Sequence, residues 1–112
     1  MKITLTAAAL GLSLAFSAPA VAQDDLALRV EYCAGIGELA EAIMSARQSE
    51  APMSHVMAIF AQEWGTFASV ALGLTEMAYE LPAFLTAENQ ARAVASFRND
   101  AESMCFDATR DM

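Results

Sequence analysis

The chain has 112 residues, 56% of them hydrophobic and 18% charged, and 14 carboxylates against six basic side chains leave a formal charge of −8 at pH 7. So acidic a chain is repelled by phosphate backbones and anionic lipid headgroups, which excludes nucleic-acid binding and attachment to such a surface. The length suits one domain.

Residues 1–22 have the layout of a secretory signal peptide. Lys2 supplies the positive start and Ile3 to Phe16 an apolar run too short for a stable span. Ala20-Val21-Ala22 is a small-x-small cleavage site ahead of Gln23-Asp24-Asp25. No cysteine follows the site, which argues against a lipid anchor, and Glu50, Glu63, Glu76 and Glu80 interrupt the later apolar stretches. The expected mature chain is residues 23–112, a single helical domain that is periplasmic or secreted and leaves the membrane after cleavage. Removal of Lys2 with the leader takes the formal charge from −8 to −9.

From Asp25 onward the pattern is helical. Strand alternation and hairpin dipeptides are absent, and Ala, Leu, Met and Glu, all good helix formers, dominate. The first helix is expected over 26–47, with Asp24 and Asp25 as N-cap and first-turn charge. Leu26, Val30, Cys33, Ile36, Ala40, Ile43 and Arg47 follow three- and four-residue steps and form its inner stripe, with Glu31, Glu38, Glu41 and Ser45 opposite. Gly35 and Gly37 weaken this helix and admit close approach of another.

After the turn "QSEAP", Pro52 opens a second helix. It contains "PMSHVM" (52–57), two methionines around the only histidine, a composition that can hold Cu(I). At about 100° per residue, Met53, Met57, Phe60 and Trp64 share one narrow stripe while His55 falls opposite. The stripe therefore reads as core and His55 as surface, and no metal site is expected.

Cys33 and Cys105 are the only cysteines. In an oxidising compartment they most simply form one bridge; a disulfide-linked dimer or two free thiols are the alternatives. The bridge would close a loop of about 72 residues, with a stabilisation of ~4 kcal/mol by the chain-entropy argument. It also bears on topology. With three helices and a long central one, the first and last run parallel and the sulfurs lie roughly 15 Å apart in height. A break near Gly65-Thr66 gives four helices running up-down-up-down and brings the cysteines to one end. The expected fold is thus all-α, a small four-helix bundle stapled between its first and last helices; a tilted or displaced short helix also satisfies the geometry, and three helices with a long central one are the alternative.

The third helix, expected over 66–80, is the most apolar ("FASVALGL") and suits a buried centre or a homodimer contact. "LPAFLT" connects it to a fourth helix, capped by Thr86 and reaching Phe106. The inner stripe of that helix is Ala91, Val94, Phe97 or Arg98, Ala101, Met104 and Cys105, with Arg92, Asn99, Glu102 and Ser103 largely outward. The tail "DATRDM" reads as polar and frayed.

Catalytic constellations fail on inventory. One histidine without a neighbouring nucleophile cannot build a triad, and bonded cysteines are not nucleophiles. There is no phosphate loop, dinucleotide fingerprint, haem-attachment motif or pair of E-x-x-H motifs. Glu38 with Glu41 and Glu76 with Glu80 share helix faces and read as solvated acidic surface. No enzyme activity and no cofactor are expected.

Three stretches, "CAGIGELAEAIMSARQ" (33–48), "AYELP" (78–82) and "SFRNDAESMC" (96–105), span most of the mature chain. In them the chain resembles a loose group of short exported helical proteins of proteobacteria with one cysteine near each end. That resemblance implies a secreted helical fold with one disulfide and implies no activity. It draws notice to Arg47, Gln48 and Tyr79 as structural polar residues, with Arg47 capping its own helix and the Tyr79 hydroxyl tying down the Pro82 turn. In size and architecture the chain is also similar to periplasmic acid-stress chaperones.

The expected function is a small exported protein-binding module, of adaptor, inhibitor or immunity type, with a protein partner of basic character. The alternative is an acid-responsive periplasmic chaperone, since the net charge turns positive near about pH 3.

Overall fold

The computed structural model describes residues 20–63 and 65–111. All but the last three residues of the expected leader lie outside the described residues, as do Trp64 and Met112. Four helices follow in order: α1 (Ala20–Gln48), α2 (Met53–Glu63), α3 (Ala68–Tyr79) and α4 (Ala87–Ala108), with a 3-10 turn at Gly65–Phe67 ahead of α3. Among the described residues there is no strand, and no helix is long and apolar enough to cross a membrane.

The four-helix path is the one that the cysteines require. Gly65 has φ +48°, a left-handed conformation that ends α2 at little steric cost for glycine. Tyr32 meets Phe67 and Arg47 lies over Tyr79, so α1 and α3 run parallel. Cys33 is bonded to Cys105, with Cα atoms 5.5 Å apart, and Glu41 meets Arg98, so α1 and α4 run antiparallel. Between those contacts Gly37 faces Glu102. A Cβ on Gly37 would stand 2.7 Å from the Glu102 Cγ, so this glycine sets how closely α1 and α4 approach. The space over Gly35 is open.

The core is a seam down α1. Cys33, Leu39, Ala40, Ile43 and Met44 are fully buried, against Ala71, Leu74 and Ala78 of α3 and Phe97 and Ala101 of α4. Small residues recur where the helices cross, and Leu39 and Ile43 fill the centre. Truncating either to alanine would leave a cavity worth about 2–5 kcal/mol.

Several local expectations are corrected. α1 begins by Ala20, so Asp24 and Asp25 lie inside the helix rather than at its start. Leu26 and Val30 are 53% and 48% exposed; Arg29, between them, still meets Phe106 and Thr109 at the end of α4, so Val30 is turned away from that helix. On α2 the buried residue is Val56, with Met53, Met57 and Phe60 half-buried, so the inward face is turned from the expected stripe. Ala91 and Met104 of α4 are exposed. The tail is anchored at Thr109, which is buried and donates to the Cys105 carbonyl at 2.7 Å.

The turn between α1 and α2 closes with paired bonds, from Ala51 N–H to the Ala46 carbonyl and from Glu50 N–H to the Arg47 carbonyl. Glu50 sits at φ +59°. This is a Schellman ending with glutamate in the left-handed position that glycine usually takes, and Pro52 prevents the helix from continuing.

Candidate functional site

Three features could serve a function: a polar corner at one end of the bundle, the disulfide at the other, and an apolar groove alongside it. The corner gathers Arg47, Gln48 and Tyr79. Arg47 Nε donates to the Leu81 carbonyl at 2.9 Å, and its guanidinium lies 4.9 Å from the Tyr79 ring centre. Gln48 is buried; its Nε2 donates to the Pro82 carbonyl at 3.0 Å and its Oε1 accepts from the Phe84 N–H at 2.8 Å. The Tyr79 hydroxyl donates to the Ala51 carbonyl.

Arg47 therefore caps the chain after α3 rather than its own helix, and Tyr79 ties the α1–α2 turn rather than the Pro82 turn. Gln48 holds the Pro82 turn, with Gln90 donating to the Phe84 carbonyl from the far side. Burial raises the Tyr79 pKa above the ordinary tyrosine value, and the positive charge of Arg47 opposes that rise. The turn thus held carries Leu81, Phe84 and Leu85 outward, with Leu85 98% exposed.

At the other end, Thr109 bonds back to Cys105 and lies 3.9 Å from the Cys33 sulfur. Arg29 donates to the Phe106 carbonyl at 3.1 Å and to the Thr109 hydroxyl at 3.4 Å, with its guanidinium over the Phe106 ring. Arg29, Gln90 and Thr109 were not singled out in the sequence. Each acts on a backbone carbonyl distant in sequence or one turn away, and residue type alone does not announce such contacts. Between the two ends Arg98 bridges Glu41 of α1 at 2.6 Å and Glu102 of α4 at 3.2 Å. The Glu41 hydrogen bond is the main cause that pushes the Arg98 pKa further up.

The groove has a volume of about 300 Å³ and lies between α3 and α4 with α1 as its floor. Tyr32, Ile36, Val70, Leu74, Met77 and Met104 line it, beside the Cys105 end of the disulfide. Its lining is nearly all carbon, and Tyr32, Met77 and Met104 are 38–43% exposed. Its hydroxyl-bearing lining residues are Ser69, Thr109 and Tyr32. A side pocket of about 210 Å³ over Gly35 shares Tyr32 and Ile36 with it.

His55 is exposed. Among the described residues no group of three or more His, Cys, Asp or Glu side chains gathers closely enough to hold a metal ion. Glu41, one of the paired glutamates, is engaged by Arg98, and Glu76 and Glu80 are exposed. In comparisons with protein families, curated proteins and solved structures, the chain matches none.

Proposed function

We propose that this chain is an exported, non-catalytic protein-binding module whose partner is basic. The observation that carries the reading is the open apolar groove between α3 and α4, set in a chain of formal charge −8. An apolar patch ringed by charge is the usual anatomy of a protein contact, and the charge selects a partner of opposite sign. The disulfide and the pinned corner hold the helices that frame the groove, so little order has to be gained on binding. The same disulfide is consistent with a periplasmic or extracellular setting.

The test is capture on the immobilised, oxidised chain from native envelope extract. One basic partner retained in stoichiometric amount at pH 7 is the expected result. Retention of nothing at pH 7 would overturn the reading.

The acid-responsive chaperone is favoured by a different observation, the Arg98 bridge between α1 and α4. Protonating Glu41 and Glu102 would leave that cation without counter-charges and loosen the pair of helices. Many unrelated proteins retained only at pH 3 would select this second reading.

A further inference from the structure

Gly73 lies in the middle of α3, where glycine weakens a helix by about 1 kcal/mol relative to alanine. A Cβ at this position would meet nothing within 4 Å. Gly37, by contrast, is required by Glu102. The bundle itself therefore gives no reason for glycine at 73. It lies on the wall of the apolar groove, which leaves bare backbone facing the space where a partner would sit. Bare backbone of this kind lets another helix approach closely.

The charges along the outer rims of the groove are mainly acidic. Taking each helix at about 100° per residue, the positions next outward from Gly73 and Met77 are Glu76 on α3 and Glu80, the residue that caps its end. Those next outward from Met104 on α4 are Asp100 and Asp107. All four are exposed. α3 carries no basic residue. Arg98 is turned toward Glu41 and Glu102, Arg110 and Asp107 offset each other, and Arg29 meets the lining residue Thr109 at one end, so the unpaired acidic flank is Glu76, Glu80 and Asp100.

From these we infer that the groove between α3 and α4 receives an amphipathic helix of a partner protein, its apolar stripe over Gly73 and Met104 and its flanks carrying lysine or arginine. The inference rests on the binding-module reading and names the partner's chemistry. From Ser69 to Met77 the groove runs roughly 12 Å, enough for two helical turns. A second copy of this chain would bring acidic flanks to acidic rims, and charge therefore favours a different, basic protein.

The probe is a helical peptide of about three turns, with leucines at i, i+3 and i+7 and lysines on both flanks. Two controls accompany it: the same peptide with glutamate for lysine, and the lysine peptide scrambled so that its stripe is lost. The oxidised chain should bind the first and neither control, more weakly as salt rises. Gly73→Leu, which fills the groove from an exposed helical position, should weaken binding at least about tenfold with helicity unchanged. Glu76→Gln/Glu80→Gln/Asp100→Asn should weaken it several-fold and flatten the salt dependence.

Equal binding of the scrambled lysine peptide would overturn the inference, because attraction by charge alone would explain it. So would unchanged affinity in folded Gly73→Leu. A stoichiometric partner from envelope extract that holds Gly73→Leu as firmly as the native chain would remove the groove inference and leave the binding-module reading standing. Absence of both peptide binding and a captured partner would remove both.

Discussion

Tyr79 joins two turns that are far apart in sequence, through its hydroxyl on Ala51 and its ring under Arg47. Replacing it by phenylalanine keeps the ring and removes one hydrogen bond, an expected loss of about 1 kcal/mol at neutral pH. The folded state holds the phenolic proton more tightly than the unfolded chain. That contribution is complete below the ordinary tyrosine pKa of about 10 and is lost as pH rises through the higher folded value. Urea midpoints of the native chain and Tyr79→Phe should therefore converge as pH is raised from 7 to 11; a gap constant across that range would contradict this role. The sequence placed Arg47, Gln48 and Tyr79 among its structural polar residues but misassigned two of their partners. Nearby residues were the only partners that it made visible. The bonds formed, Arg47 to Leu81 and Tyr79 to Ala51, depend on which helix ends meet.

At the scale of elements, three glycines in like helical settings make an internal comparison. Gly35 and Gly73 have open space where a Cβ would stand, while Gly37 has Glu102. Alanine at 35 or 73 should raise stability by about 0.5–1 kcal/mol through helix propensity. Alanine at 37 must displace Glu102, which is held by Arg98, so the same gain should be absent or reversed. Thermal unfolding of the three variants reads the difference directly; an equal gain at all three would mean that α1 and α4 are not in close contact there.

The sequence was a good guide to elements whose limits have a local cause, such as Thr86, whose hydroxyl accepts from Asn89 N–H at 3.2 Å and starts α4. It was a poor guide where the cause is tertiary. Leu26 and Val30 have the spacing of core residues yet are exposed, although Arg29 between them meets the end of α4. Met104 has core spacing too and faces the groove. Periodicity gives the direction in which a residue points, not whether another helix stands there.

For the whole molecule, the disulfide is the longest-range constraint. It joins residues 72 apart in sequence and ties the two helices that make the most extensive contact. Replacing both cysteines by alanine should lower unfolding stability by ~4 kcal/mol, measured by urea denaturation of the oxidised chain against the double variant. A loss below about 1 kcal/mol would mean that packing between α1 and α4 restricts the unfolded chain almost as well as the bond does. Its pairing was legible because the chain has two cysteines and an expected oxidising destination, and helix rise with bond geometry then favoured four helices over three. The groove was not, because it is defined by what fails to cover Tyr32, Met77 and Met104.

The polar corner also bears on how that bond comes to form. Its contacts join residues 28 to 36 apart, all between Arg47 and Phe84, so every one of them can be made before Cys105 has emerged from the machinery that makes or exports the chain. Once Arg47 is fixed to Leu81, the path from one sulfur to the other bypasses roughly half of the intervening chain, a saving in loop-closure entropy of about 0.6 kcal/mol. Damage at the corner would then slow the meeting of two sulfurs at the opposite end of the bundle, neither of which it touches.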